Sequence, residues 1–337
     1  MISQRVRHAV RVVAAFTIVA WLAYRVGPQA ILHQLARIDL ALLVASLLLM
    51  ALDGVAKAWN WQQLLEATVD DQQVPFGQVL TWHFAGGFLG AVVPSSASTD
   101  AFRVFLAQRG LGGHAVTCAA SVVTLNGLGW FTGCVIGLIG LMALAFSDAL
   151  PSTLAPAAVL FVATVLALPM AYALLASKRG WVVDRARAAR WKPLRAGLTK
   201  FVDALLVFER AHVRFPAFLG VSAISLLAQA GMFAVTAAAV GIRLPFPVWM
   251  ILAPLTRIVA LIPVSVADVG LIQAAHVSVL AFFGVPPSQS FALSALFALQ
   301  GLLIHVTLGS SAFVYTGLRS REPRNQKEAF PSRRHLG

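Results

Sequence analysis

Charge is scarce in this 337-residue chain: Asp, Glu, Lys and Arg together make up 12% of it, with 13 acidic side chains against 26 basic ones. A soluble domain carries about twice that share, so an ordinary water-soluble fold is excluded. Cysteine is nearly absent. Cys118 and Cys134 are the two present, and both fall in one predicted helix, about 24 Å apart at 1.5 Å per residue, too far for a disulfide. A disulfide scaffold is therefore excluded as well. The sequence also lacks Walker A, Gly-x-Ser-x-Gly, dinucleotide-binding and H-E-x-x-H patterns, which leaves ATP drive, familiar hydrolase or redox chemistry and a helical zinc site without support. No cofactor is expected.

What the chain has is apolar length. Hydrophobic residues make up 59% of it and the mean hydropathy is +0.80. Windows at 9–27, 40–60, 117–146, 154–176, 215–240 and 288–315 approach or exceed the roughly 20 residues a helix needs to cross about 30 Å of hydrocarbon. Strand-type alternation is absent from them, which sets a β-barrel aside. The predicted fold is an all-α polytopic membrane protein with six full crossings.

The net charge of +13 is gathered beside the spans and lacks a nucleic-acid motif. Arg5, Arg7 and Arg11 precede the first span. Lys178, Arg179, Arg185, Arg187, Arg190, Lys192, Arg195 and Lys200 crowd one linker, and Arg319, Arg321, Arg324, Lys327, Arg333 and Arg334 fill the tail. By the positive-inside rule all three regions, and both termini, are cytoplasmic. This predicts one membrane domain over 1–317, with halves 1–176 and 201–317 joined by the basic linker 177–200, and a flexible basic tail over 318–337.

Two pairs of shorter apolar segments remain, 76–93 with 100–111 and 248–262 with 267–283. They are read as re-entrant hairpins entering from opposite sides, the arrangement of an inverted repeat with its site at the midplane. Each pair contains a polar break, Pro94-Ser95-Ser96-Ala97-Ser98-Thr99-Asp100 followed by Arg103, and Pro263-Val264-Ser265-Val266-Ala267-Asp268. Non-helical backbone at membrane depth is tolerated where protein buries it or where it lines a watery cavity. Such breaks therefore mark a site.

Arg103 and Arg257 are the candidates for gripping a phosphate, because guanidinium is a planar fork of donors matched to that oxyanion; the alternative is snorkelling to headgroups. Asp100 and Asp268 either neutralise those arginines, bind a proton, or cap a half-helix. Ser96 and Ser265 stand at the breaks, Pro94, Pro263 and Gly270 shape them, and Asp53 and Lys57, four residues apart, form a candidate intramembrane ion pair. His83, His276 and His305 lie in or near spans without metal-ligand spacing, so core or cavity roles are expected. Trp61, Trp82 and Trp249 lie near predicted span ends, as interfacial tryptophans do.

The first break, VVPSSASTDAFRVFLAQRG, closely resembles a signature of the flippase-like transmembrane domain of lysylphosphatidylglycerol synthases and of many free-standing bacterial membrane proteins, Pro-Ser-Ser-x-Gly-Gly-Asp-x-x-Arg. Pro94, Ser95, Ser96, Asp100 and Arg103 match, while Ser98 and Thr99 replace its glycines. The break at Pro263 is similar to the family's Leu-Pro-x-Ser-x-x-Gly-x-Gly-x-x-Glu, with Pro263, Ser265 and Gly270 kept, Asp268 in place of a glycine, Gln273 in place of the acid and Ile272 in place of a common arginine. The resemblance implies translocation of a membrane lipid bearing a phosphate or other anionic group, in the bacterial inner membrane, by a divergent member without the synthase domain. The alternatives are a membrane-embedded enzyme on a lipid phosphate, using Asp100, Arg103, His83 and His276, or an accessory subunit of an envelope biosynthetic enzyme.

Overall fold

The computed structural model describes residues 39–68, 73–92, 96–178, 215–259 and 271–312, with 180, 181 and 184. Within them lie nine helices: α1 (Leu40–Thr68), α2 (Phe76–Val92), α3 (Ser96–Gly110), α4 (Ala115–Phe146), α5 (Ala155–Ser177), α6 (Phe215–Ala239), α7 (Phe246–Val259), α8 (Leu271–Ala281) and α9 (Pro287–Ile304), which runs on as a π-helical turn, His305–Gly309. There is no strand among the described residues. Five of the helices, α1, α4, α5, α6 and α9 with its π turn, are long and apolar enough to cross a membrane. The chain is a multi-pass, all-α membrane protein. The expected span at 9–27, the linker and the tail lie outside the described residues.

The other four helices are short. Over the described residues, with 17, 15, 14 and 11 residues, α2, α3, α7 and α8 reach about 26, 22, 21 and 16 Å. Helix α3 also starts at Ser96 rather than near residue 100, so Ser98, Thr99 and Asp100 are helical instead of belonging to the break. After it, Gly112 and Gly113 take positive φ values of 74° and 106°, turning the chain sharply into α4 at little steric cost.

Helices α1 and α6 form the antiparallel centre. The Asp39 N–H donates to the Ala239 carbonyl at 3.5 Å at one end of the pair, Ser225 Oγ donates to Asp53 Oδ1 at 2.5 Å, and Asn60 Nδ2 donates to Ser222 Oγ at 2.8 Å farther along. Gln300 of α9 joins them, its amide donating to Ser46 and accepting from Thr236 Oγ1. Such interhelical bonds average only about 0.6 kcal/mol in a membrane. Close backbone approach must therefore supply much of the cohesion. It does so where Gly86 and Gly90 of α2 lie under α3, and where Gly133 and Gly140 of α4 lie under Pro254, Pro247 and Met250 of α7.

Two apolar cores result. One gathers Trp249, Phe233, Leu252, Leu280 and Leu293, the other Trp61, Leu65, Trp82 and Leu106. The three tryptophans are thus inside the protein, not at a lipid interface. Trp61 is fully enclosed, since α1 runs to Thr68 and carries it past the expected end of the span at residue 60. Its Nε1–H donates to Ser121 Oγ at 3.0 Å. Cys118 and Cys134 are both free and buried in α4.

Candidate functional site

The α2–α3 hairpin builds one part of the site. An added Cβ on Gly86 would sit 2.6 Å from Arg103 Cγ and 3.1 Å from its backbone nitrogen, so the missing side chain is what lets Arg103 reach across α2. Its Nε donates to the His83 carbonyl at 3.4 Å, Nη1 to Asp100 Oδ1 at 3.2 Å, and Nη2 lies 3.3 Å from His83 Nε2. Asn126 of α4 donates from Nδ2 to the other Asp100 oxygen, Oδ2, at 2.7 Å. Asp100 is therefore an ion-pair partner in the second turn of α3, and not the cap of a half-helix.

A guanidinium can only donate. His83 Nε2 must then accept from Arg103, which assigns the ring proton to Nδ1. That nitrogen is buried and has no hydrogen-bond partner among the described residues. The arrangement leaves a second-turn carboxylate fully engaged and a histidine N–H without an acceptor.

The second part comes from α1, α6 and α7. Lys57 Nζ donates to Asp53 Oδ2 at 2.5 Å, and Ser225 takes Oδ1. Arg257 of α7 brings Nη2 to 3.8 Å from Asp53 Oδ1. This is an ion pair beyond hydrogen-bonding distance, and Nη2 too is buried with no hydrogen-bond partner among the described residues. Arg257 also lies against α4, where an added Cβ on Gly129 would be 3.4 Å from Nη1, an ordinary contact distance.

The parts belong to one electrostatic cluster. Lys57 feels the charges of Asp53, Arg257 and Arg103; Arg103 feels Asp100 and Asp53; His83 feels Arg103, Lys57 and His305. His305 opens the π turn and presses its ring against Gly87 of α2, while Gly309 closes on Phe84 and Phe88. Local π turns of this kind recur at functional sites. Asp100 and Lys57 side chains are 34% and 30% exposed, whereas Arg103 and Asp53 are at 13% and 12%. Asp100 and Lys57 are thus the more exposed members of the two ion pairs.

Other expected residues fall elsewhere. His276 is fully enclosed between Phe233 and Phe297. Thr256 gives its hydroxyl proton to the Leu252 carbonyl and so accepts from His276 Nε2 at 2.8 Å, and Nδ1 accepts from Ser294 Oγ at 3.0 Å. Both its nitrogens are used, and it is a core residue. Ser96 begins α3, and Ser98 donates to the Gly90 carbonyl at 3.2 Å, tying the hairpin. Pro94, Pro263, Ser265, Asp268 and Gly270 lie outside the described residues. Asn126 and Ser225 join the site from outside the sequence-derived set, although each is a polar residue in an apolar helix, the signal that finds such groups. Among the described residues no three His, Cys, Asp or Glu side chains gather as metal ligands.

Comparison with known proteins places the chain in a family. No curated protein gives a match. The sequence matches the lysylphosphatidylglycerol synthase TM region over residues 9–309, nearly its whole length, and the chain belongs to that family of membrane domains.

Proposed function

We propose that this protein moves a phosphate-bearing or otherwise anionic lipid between the leaflets of the bilayer. The observation that carries the reading is a pair of buried donors without acceptors among the described residues, His83 Nδ1–H and Arg257 Nη2–H. They belong to a cluster in which Lys57, Arg103 and Arg257 face only Asp53 and Asp100 among the described residues. Unpaired buried donors are costly, and a cluster with excess positive charge more so. An anionic headgroup answers both.

On this reading the five described spans are joined by a sixth at 9–27, and α2–α3 and α7–α8 are re-entrant hairpins, too short to cross. The order long, short, short, long recurs as α1 to α4 and as α6 to α9. The first limb of each hairpin leans on the last helix of the other four-helix run, α2 on the π turn after α9 and α7 on α4. This exchange, about the antiparallel α1–α6 pair, is what an inverted repeat would produce. Both termini and the 177–200 linker are assigned to the cytoplasmic side of the bacterial inner membrane. Cysteines placed at Arg190 and Arg324 are expected to resist impermeant labelling from outside intact cells; labelling of either reverses the topology.

The direct test is lipid movement in reconstituted vesicles. A fluorescent anionic lipid should become accessible to an impermeant quencher faster with the protein than without it, and be recovered chemically unchanged. Recovery of a changed lipid would establish an enzyme instead. Recovery unchanged at the protein-free rate overturns the proposal.

A further inference from the structure

Resting on the anionic-headgroup reading, we infer that Asp53 is an internal stand-in for the ligand, competing with it for Arg257 and so setting how tightly the anion is held and how readily it leaves. The two oxygens of Asp53 already have partners, Oδ2 with Lys57 and Oδ1 with Ser225, each at 2.5 Å. Arg257 Nη2 stands at 3.8 Å from Oδ1 and forms no hydrogen bond there. The carboxylate therefore holds Arg257 by charge alone. It does not satisfy the donor.

A phosphate oxygen reaching Arg257 makes the charge-assisted bond that Asp53 does not. Asp53 loses little in the exchange, because Lys57 and Ser225 remain with it. When the ligand departs, Arg257 falls back to a counter-charge that is already in place, so the bare guanidinium is never left alone in a low-dielectric interior. Helix positions make this possible. Asp53 is on α1 and Ser225 on α6, the central pair, whereas Arg257 is on α7, the first limb of a short hairpin, so the anchored partner and the exchanged partner belong to different parts of the fold.

The inference makes opposite predictions for two substitutions. Asp53→Asn keeps an oxygen acceptor and removes the competing charge. An opposite charge at about 4 to 6 Å typically shifts an ionic equilibrium by one to three decades, so with the Asp53 charge withdrawn from Arg257 the anion affinity is expected to rise by about tenfold or more, with slower release and slower transport. Asp53→Glu keeps the charge and extends it by one methylene toward Arg257, so it is expected to bind that arginine directly and weaken the anion. In an Arg257→Gln background the gain from Asp53→Asn should vanish, since the coupling runs through that pair.

The measurement is equilibrium binding to the purified full chain in neutral detergent. Dioctanoyl phosphatidylglycerol serves as a lipid anion, dioctanoyl phosphatidylcholine as a lipid without net charge, and glycerol 3-phosphate as a headgroup without a tail. Tighter phosphatidylglycerol binding by Asp53→Asn, weaker binding by Asp53→Glu and no gain in the Arg257→Gln background support the inference. Weaker binding by both makes Asp53 a structural anchor for Arg257 and overturns it, even though the wild type binds lipid. If Asp53→Asn does not fold, unchanged or tighter binding by Asp53→Glu still overturns it. Equal binding of glycerol 3-phosphate supports the exchange while overturning the lipid reading. Wild-type protein that binds neither anion overturns both, and binding of phosphatidylcholine as tight as that of phosphatidylglycerol overturns selection for net negative charge.

Discussion

Vesicles containing Arg103→Ala are expected to move anionic lipid no faster than protein-free vesicles, and Arg103→Lys to retain only a small fraction of wild-type transport. The Arg103 guanidinium is held inside the protein. Its side chain is 13% exposed and lies across α2, with three of its nitrogens committed to the His83 carbonyl, Asp100 and the His83 ring. Alanine removes the counter-charge of Asp100, releases the His83 ring from its assigned tautomer, and brings the cations and carboxylates of the cluster to equal number. Lysine restores the charge but offers one nitrogen where three positions are used. A hydrogen bond to a charged group is worth about 1.5 to 3 kcal/mol, roughly a ten- to hundredfold in rate or affinity, so losing even one decides the outcome. Arg321→Ala, in the basic tail, is the control and should transport normally. Stability should fall only modestly, since Asp100 keeps Asn126 and part of its surface reaches solvent. Wild-type transport by folded Arg103→Ala would remove Arg103 from the site.

Much of this was legible in the sequence where the cause is local. Apolar runs at 117–146, 154–176 and 215–240 became α4, α5 and α6 within two residues at each end, since span length is set by hydrocarbon thickness. The Asp53–Lys57 pair followed from helical spacing, and its 2.5 Å separation needs nothing beyond one helix. Arg257, about two hundred residues away, reaches the same carboxylate from α7, which packs against α4 at Gly133 and Gly140. No local pattern encodes that.

The same distinction explains the roles that shifted. A histidine in an apolar helix reads alike whether it is His276, closed off by Thr256 and Ser294, or His83, left with a free N–H. The difference lies in neighbours contributed by other helices. Trp61 reads as interfacial because the apolar run weakens near residue 60. The helix continues through Gln62, whose amide donates to the Val74 carbonyl at 2.8 Å, so this end of α1 is bonded within the protein.

Gly90→Ala is expected to splay the α2–α3 hairpin, lower the thermal midpoint and reduce transport strongly. A Cβ at this position would overlap Thr99 Oγ1 and lie 2.7 Å from Thr99 Cα and 2.8 Å from Thr99 Cβ. A hydroxyl can rotate away; a backbone carbon cannot, so the two limbs must separate by about 1 Å to reach ordinary van der Waals distance. Overpacking of this kind costs about 1 to 3 kcal/mol. The functional loss should be larger than the stability loss, because one turn away Gly86 supports the Arg103 backbone, and parting the limbs draws the guanidinium off the His83 carbonyl, where it is already at 3.4 Å. Thr99 stands where the family's motif has glycine, so Gly90→Ala combined with Thr99→Gly should recover part of both losses: it clears Oγ1 and Cβ but leaves the backbone of residue 99 in the way. Gly77→Ala, on the same helix with nothing within 4 Å of the new methyl, should transport normally and melt no lower, since alanine favours helix over glycine by up to about 1 kcal/mol. Thermal unfolding in detergent and the vesicle assay measure the two effects separately. A Gly90→Ala protein that melts and transports like wild type would mean that α2 and α3 do not pack at this distance, and the placement of Arg103 beside His83 would fall with it.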